Sequence, residues 1–235
     1  MSKQRFLKNI ILVIALLIFA FSIIAIPVEW YIYKYTIQSG NISTETTIKE
    51  YYDQVKVESK TTGGSSQHTT TSTHSYDDTD QNDLKSLYEG MVTLTVLVII
   101  AEFIVVVCML INTLGRCCPT KIKMGLKFGK KIFKKLTVVA SIIVFLVLFI
   151  AVIVFAVQHP KALTSDNYLG SCEDALVDNG YDEFCKDFTG DGFGPGAGWY
   201  LILVSLIFSL PQLVLVWTYA CSCGCIKRGG YTSVR

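Results

Sequence analysis

The chain has 235 residues, 51% of them hydrophobic and 17% charged, and its formal net charge is +2. So high an apolar fraction argues against an ordinary soluble domain. It comes mostly from four uninterrupted runs, residues 10–26, 91–111, 136–157 and 199–220. Each is close to the roughly 20 residues that a helix needs to cross a bilayer. Because the runs do not alternate polar with apolar residues, we predict four transmembrane helices rather than barrel strands.

Charge divides the chain into alternating basic and acidic segments. Segments 1–9, 112–135 and 221–235 hold three, eight and three basic residues and no acidic ones. The loops between them, 27–90 and 158–198, hold ten acids against five bases and eight against two. Short Lys/Arg-rich segments stay on the cytosolic side. We therefore expect both termini in the cytosol, both long loops outside or in a lumen, and anionic inner-leaflet lipid rather than nucleic acid as a partner.

The first run resembles a secretory signal peptide, but it exceeds the usual 7–15 apolar residues and no convincing A-x-A-like site follows. We expect it to remain as a helix that stops at Pro27. Stretches 28–37 and 46–57 are rich in aromatic and β-branched residues and predict two strands. The expected fold class is therefore an all-α membrane protein: a four-helix bundle with a small outer β-sheet from the first outer loop.

The rest of the first outer loop is polar. Asn41-Ile42-Ser43 is an N-glycosylation sequon on the expected outer side. Residues 60–83 are mostly Thr, Ser, Gly, Gln, His and Asp and predict a flexible, exposed stretch. His68 and His74 lie there, and we favour solvated histidines over a metal site. The aromatic residues just after the first helix predict an interfacial belt; they are Trp30, Tyr31, Tyr33 and Tyr35.

Glu102 lies near the middle of the second run and is the only ionisable side chain in the core of the four runs. A charge at the bilayer centre costs at least about 2.5 kcal/mol, so this side chain should face the bundle interior. One reading is an ion or proton pathway. The favoured reading is a neutral carboxyl hydrogen-bonded to another helix. Ser205, Ser209 and Gln212 lie at a suitable depth on the fourth helix.

The cytosolic segments carry a set of cysteines next to helix ends, a position typical of S-palmitoylation. A thiolate zinc site is the disfavoured alternative, because no histidine is near and the spacing is not C-x2-C. In the central loop, residues 121–136 mix apolar residues with lysines. They predict either a helix on the membrane surface or a plain topogenic loop. The candidate acylation sites are Cys117, Cys118, Cys221, Cys223 and Cys225.

The second outer loop contains two cysteines, Cys172 and Cys185, which predict a disulfide on the oxidising side. Residues 187–192 resemble the start of a calcium loop. Its twelfth position is Gly198, where a glutamate is needed, so we favour an acidic, glycine-rich turn. We expect no metal and no cofactor. In the tail, Tyr231 and Val234 resemble a tyrosine-based endolysosomal sorting signal.

Four helices with cytosolic termini, a long first and a shorter second outer loop, and Pro27 and Trp30 before a strand resemble the claudin and peripheral-myelin-protein superfamily. That family's first outer loop carries a Trp-Leu-Trp stretch and a cysteine pair, and this loop has no cysteine. Tetraspanins are the second comparison. The sorting-like tail and the candidate acylation cysteines are similar to those of that family. However, the longer loop falls between the wrong helices, and the second outer loop lacks their Cys-Cys-Gly.

The sequence contains no hydrolase elbow, phosphate loop, HExxH or paired catalytic carboxylates, so we do not expect an enzyme. The leading hypothesis is a membrane-organising or adhesion protein at the plasma membrane or in endosomal and lysosomal membranes. It would bind other membrane proteins, or itself, through its outer loops. The alternative is a channel or transporter subunit that uses Glu102.

Overall fold

A computed structural model describes residues 3–63, 66–76, 82–114, 123–165, 189 and 192–221. Its helices are long and apolar enough to cross a membrane. This confirms, by length and composition, the prediction of a membrane protein with transmembrane helices. The four helices in the described residues are α1 (Lys3–Ala25), α2 (Asn82–Leu114), α3 (Lys123–Ser165) and α4 (Ala197–Cys221).

The helices are longer than the apolar runs that predict them. Helix α2 already begins at Asn82, and Asp83 in its first turn complements the positive end of the helix dipole. Helix α3 continues past Pro160, and α4 continues through Pro211. Helix α1 ends at Ala25, two residues before Pro27, as expected for a residue that restricts the backbone before it.

The chain divides into two compact units. The first, which we call the basic unit, consists of Met1–Phe21, Val96–Leu148 and Val204–Arg235. The second, the sheet unit, consists of Ser22–Thr95 and Phe149–Leu203. The basic unit has an apolar core to which all four helices contribute, including Ile11, Val105, Ala140 and Val216.

The sheet unit contains a five-stranded antiparallel sheet in the order β4-β3-β2-β1-β5. Side chains alternate across the strands: Tyr31 and Tyr33 are buried on β1, and Ile48 and Glu50 are buried opposite them on β2. One face of the sheet is therefore packed. The strands are β1 (Tyr31–Ser39), β2 (Ile42–Glu50), β3 (Gln54–Gly63), β4 (Ser66–Ser75) and β5 (Phe193–Pro195).

The predicted fold class, an all-α bundle with a small sheet from the first outer loop, is wrong. The sheet is large, and its fifth strand comes from the second long loop. The stretch 60–83, expected to be flexible, instead contains the end of β3 and all of β4. Low hydrophobicity suggested disorder there. Threonine also favours strands, and the backbone ladder stabilises them without an apolar core.

Hydroxyl contacts connect β2 to β3, the strand that neighbours β4. Thr44 Oγ1 lies 3.3 Å from Thr61 Oγ1, and Thr46 Oγ1 lies 3.2 Å from Ser59 Oγ. Such pairs stabilise neighbouring strands by tenths of a kcal/mol, up to about 1 kcal/mol each.

The single strand predicted over 46–57 is also corrected. This stretch contains parts of two strands, because β2 ends at Glu50 and β3 begins at Gln54 after a turn.

Two glycines with positive φ lie next to strand β1. The β1–β2 loop is only Gly40-Asn41, and Gly40 has φ +60°, which favours glycine. Before β5, Gly192 has φ +86°, and a Cβ there would lie 2.5 Å from the carbonyl oxygen of Lys34. Lys34 N donates to Gly192 O at 2.6 Å. Gly192 therefore allows the chain just before β5 to lie close to β1.

Candidate functional site

The sheet unit contains a buried polar centre around Glu50, the last residue of β2. Glu50, Tyr88 and His159 each have 0% exposed surface. The Tyr88 hydroxyl on α2 donates a hydrogen bond to Glu50 Oε2 at 2.5 Å. His159 Nε2 on α3 lies 2.8 Å from the same oxygen. One carboxyl group thus joins the sheet to two helices; we call these three residues the Glu50 clamp.

Aromatic rings enclose the Glu50 clamp. The Tyr31 ring stacks on the His159 ring with centroids 3.9 Å apart and an interplanar angle of 27°. Phe155 contacts His159 at 5.1 Å and Trp30 at 5.6 Å. Burial raises the pKa of the Tyr31 hydroxyl well above its usual range, and the nearby Glu50 carboxyl raises it further. Tyr31 therefore stays protonated at physiological pH.

The belt interpretation is corrected here for three of its four residues; the fourth, Tyr35, is partly exposed. Trp30, Tyr31 and Tyr33 are at most 1% exposed, so they pack inside the protein rather than against lipid headgroups. The reason is the strand alternation, which turns Tyr31 and Tyr33 to the buried face.

The clamp contains carboxyl, imidazole and phenol groups, all of which can serve in acid–base chemistry. Two cavities of about 390 and 440 Å³ lie at the surface of the sheet unit, and none of the three residues lines either one. Among the described residues, no three His, Cys, Asp or Glu side chains are grouped to hold a metal. The geometry therefore fits a structural connection between sheet and helices.

Strand β4 forms one edge of the sheet and is its most exposed strand. It pairs only with β3, and its side chains from Ser66 to Thr71 are all exposed. Its sequence, SQHTTTSTHS, contains no Lys, Arg, Asp, Glu or Pro. Natural edge strands commonly use charge or proline to prevent pairing with another strand. This ten-residue edge carries neither protection.

The neighbouring strand β3 differs in its charge. Lys56 Nζ lies 2.8 Å from Glu58 Oε1, and Lys49 Nζ on β2 lies 3.4 Å from Glu58 Oε2. The hydrogen bond from Lys56 is the main reason that the pKa of Glu58 is below its usual range. Charged side chains thus occupy the inner strands, and the edge strand has none.

His68 and His74, which were expected in a flexible stretch, lie on β4. His68 Nδ1 is 3.2 Å from Thr70 Oγ1, and His74 Nε2 is 3.2 Å from Ser72 Oγ. Six residues of extended strand separate the two imidazoles by about 20 Å. One copy of the chain therefore cannot bring them to one metal ion.

In the basic unit, Glu102 contacts the fourth helix. Gln212 Nε2 donates to Glu102 Oε2 at 3.1 Å, and both side chains are buried. Of the three residues considered by depth, Gln212 makes this contact, whereas Ser209 Oγ donates to the backbone oxygen of Leu206. Glu102 Oε1 and Gln212 Oε1 have no hydrogen-bond partner among the described residues. If Glu102 is protonated, its carboxyl O–H group can donate a hydrogen bond from one of these oxygens to the other.

Asn41 lies in the exposed two-residue turn between β1 and β2. We predict that it is glycosylated in a eukaryotic host, because the turn is accessible and the charge pattern predicts that it lies outside. Enzymatic deglycosylation and Asn41→Gln should cause the same gel shift. A band unchanged by both treatments would contradict the site. A glycan on a sequon engineered into 116–135 would contradict the orientation.

Most of the other predicted site residues lie outside the described residues. These are Cys172 and Cys185 of the expected disulfide, Tyr231 and Val234 of the expected sorting signal, and the candidate acylation sites Cys117, Cys118, Cys223 and Cys225. Cys221 is described; it is an exposed free thiol at the end of α4, whereas Cys108 is buried. The disulfide and the acylation stay predictions.

Sequence reasoning missed the Glu50 clamp and the β4 edge. Glu50 lies on the same strand face as Thr46 and Ile48, and only Ile48 of these three residues is apolar. No pattern therefore marked Glu50 as buried. The one usable signal was His159-Pro160, which begins two residues after the end of the apolar run 136–157.

A comparison with protein-family models and with curated proteins finds no match to this sequence.

Proposed function

We propose that this chain is a non-enzymatic four-pass membrane protein whose outer sheet assembles with another protein through β4. The observation that carries the proposal is the uncharged, ten-residue exposed edge. An edge strand presents a row of unpaired backbone N–H and C=O groups, which is a template for an added strand. Strand addition is a common mode of protein recognition.

The partner that best fits this edge is β4 of a second copy. Closed twofold symmetry is the commonest arrangement of oligomers, and it sets the same surface against itself. Two antiparallel β4 strands related in this way would face each other with Ser, Thr, Gln and His side chains. A charged edge would instead place like charges opposite each other, which is destabilising. The lack of charge on β4 thus favours pairing of identical strands.

The Glu50 clamp supports the proposal because it anchors the sheet that contains β4. It fixes β2 to α2 and α3 through two hydrogen bonds to one buried oxygen. A binding surface held by rigid elements loses less conformational entropy on association than a flexible loop. The clamp therefore allows a mostly polar sheet to present β4 in one geometry.

Thr71→Lys tests the role of β4. Thr71 is exposed on the edge strand, and a lysine there should repel the same residue on the second copy. We expect about fivefold weaker self-association, since like charges across a strand pair cost up to about 1 kcal/mol. Dilution of two fluorescently labelled pools of the full chain in nanodiscs, read by energy transfer, measures the dissociation constant.

Thr62→Lys is the matched control, because Thr62 is an exposed threonine on β3, an inner strand paired on both sides. It adds the same charge without placing it on the edge. Unchanged association for Thr62→Lys together with weakening for Thr71→Lys supports the proposal. Equal dissociation constants for both variants and the unmodified chain would overturn it.

A channel or transporter subunit is the second candidate. It is favoured by one observation, the buried Glu102 carboxyl with an oxygen that has no hydrogen-bond partner among the described residues. The bond from Gln212 gives the same carboxyl a structural role. Strand assembly therefore remains the first proposal.

For location, we propose the plasma membrane or the endosomal and lysosomal membranes, on the basis of Tyr231 and Val234 in the tail. Acylated cytosolic cysteines would hold the central loop and the tail against the inner leaflet and bias the protein toward particular lipid regions. The resemblance of the predicted layout to the claudin and peripheral-myelin-protein superfamily is a further reason to propose a role in membrane organisation.

A further inference from the structure

Strand β4 carries two exposed histidines, His68 and His74, on one face of the sheet. They are six positions apart, and side chains alternate between the two faces along a strand. Each imidazole uses one ring nitrogen for a hydroxyl contact on that face: Nδ1 of His68 to Thr70, and Nε2 of His74 to Ser72. The other ring nitrogen of each can bind a metal ion.

The register of the β4 pair proposed above is limited by its symmetry. Facing residues of an antiparallel pair either both exchange backbone hydrogen bonds or both do not, and the two kinds alternate along the strand. Two identical strands satisfy this alternation only if the twofold axis passes through a residue that faces its own copy. Full overlap of Ser66–Ser75 would instead place the axis between Thr70 and Thr71. The nearest regular registers are therefore centred on Thr70 or on Thr71.

The two registers differ in the residues that face the histidines. His68 lies three residues before Thr71, and His74 lies three residues after it. In the register centred on Thr71, His68 of each copy therefore faces His74 of the other copy, and this pairing occurs twice. In the register centred one residue earlier, serines face both histidines instead. Of these two registers, only the one centred on Thr71 sets imidazole against imidazole.

We propose that the β4 pair binds two divalent transition-metal ions, such as Zn²⁺, each between His68 of one copy and His74 of the other. Imidazole is a preferred ligand of such ions. The site rests on the proposed function, because a single copy keeps the two imidazoles about 20 Å apart. Facing Cβ atoms of paired strands lie only about 4.5–5.5 Å apart. A tetrahedral zinc ion, with bonds of about 2.0–2.1 Å to nitrogen, fits between such side chains and completes its coordination with water.

The surroundings of the histidines also suit a cation. The face that carries them has no charged side chain on β3 or β4. Lys56 and Lys60 of β3 lie on the opposite face, because each pairs with a residue of β4 next to a histidine. The hydroxyls of Thr70 and Ser72 contact the second ring nitrogens, as the outer partners of metal-bound imidazoles commonly do.

The test measures self-association of the full chain, purified in detergent, by energy transfer between two labelled pools in EDTA, Zn²⁺ or Mg²⁺. Because two ions bind per pair, the association constant should rise with the square of the zinc concentration once zinc exceeds the dissociation constant of a site. A tenfold increase in zinc then tightens association about a hundredfold. Mg²⁺ prefers oxygen ligands, so the dissociation constant in Mg²⁺ should match that in EDTA.

Single variants test the two ligands. His68→Gln and His74→Gln each remove one imidazole from both sites, so in each variant the dissociation constants in zinc and in EDTA should be equal. Thr69→Gln is the matched control, because it places the same side chain next to His68 on the other face of β4. It should keep the zinc response. Zinc tightening that persists in His68→Gln or in His74→Gln would overturn the site.

A mixture of the two variants tests whether the histidines face each other. When donor-labelled His68→Gln pairs with acceptor-labelled His74→Gln, one site receives both of its histidines and the other site receives none. The mixed pair should therefore regain a zinc response with one ion, about tenfold tighter association for a tenfold increase in zinc. A mixed pair that responds no better than either variant alone would overturn the facing arrangement.

The same measurements separate failure of the metal site from failure of the β4 pairing. Association of the unmodified chain in EDTA that zinc leaves unchanged would overturn the metal site and leave the pairing in place. No association in either EDTA or zinc would overturn both. Zinc-dependent association that Thr71→Lys does not weaken would show contact through another surface, and it would also contradict both.

Discussion

Replacing Glu50 by leucine is expected to lower the free energy of unfolding of the sheet by about 3–5 kcal/mol. The substitution leaves the Tyr88 hydroxyl and the His159 ring without the carboxyl oxygen that lies 2.5 Å and 2.8 Å from them. Each buried polar group that loses its partner costs about 1–3 kcal/mol. Backbone hydrogen exchange of β1 and β2 in the purified protein measures the loss as faster exchange.

Glu45→Leu is the matched control, because Glu45 is an exposed carboxylate on the same strand. A surface substitution of this kind usually changes stability by less than about 0.5 kcal/mol. Glu50→Gln keeps an oxygen that can accept from Tyr88, so we expect a loss between those of the two leucine variants. If the backbone amides of β1 and β2 exchange equally slowly in the Glu50→Leu and Glu45→Leu variants, Glu50 does not hold the sheet to the helices.

Replacing Glu102 by leucine is expected to weaken helix association by about 0.6–2 kcal/mol, the range of interhelical hydrogen bonds in membranes. The change removes the bond from Gln212 Nε2. Glu102→Gln keeps the shape of the side chain and its two polar atoms, so it should preserve folding and trafficking. Thermal unfolding of the purified chain measures both variants. Gln212→Leu should match Glu102→Leu, and the double variant should add little, since both remove one interaction.

Phe103→Leu is the control for the same helix, because Phe103 is 57% exposed beside Glu102. It should change the unfolding temperature little. Proton and cation flux into liposomes tests the second candidate function with the same proteins. If Glu102→Gln folds normally but abolishes a flux that the unmodified protein shows, the carboxyl acts by titration, and the channel hypothesis takes first place.

The helices were predictable because one property, a long apolar run, determines them. Three of the four predicted runs lie inside α2, α3 and α4, and the first extends one residue beyond α1, to Ile26. The interior position of Glu102 followed from the same reasoning, since a carboxyl in an apolar run has to turn away from lipid. Depth in the bilayer left three candidate partners for Glu102 on the fourth helix. It could not select one of them, because depth does not show which side of a helix faces Glu102.

The sheet was predictable only where its strands are apolar. The aromatic stretch 28–37 gave most of β1, whereas β4 has a composition that also fits a flexible chain. Local sequence does not show whether a polar stretch will find a neighbouring strand. Glu50 was missed for a related reason: its burial depends on Tyr88 and His159, which are 38 and 109 residues away.

A cysteine scan of β4 tests the proposed strand pairing most directly. Single cysteines at positions 69–72 lie near the centre of Ser66–Ser75, where the twofold axis of two fully overlapping strands must pass. Facing residues of paired antiparallel strands have Cβ atoms about 4.5–5.5 Å apart, close enough for disulfide trapping. We predict a reducible dimer that peaks at one or two of these positions and is weak for Thr62→Cys on β3. Equal trapping at Thr62, or none along β4, would contradict assembly through this edge.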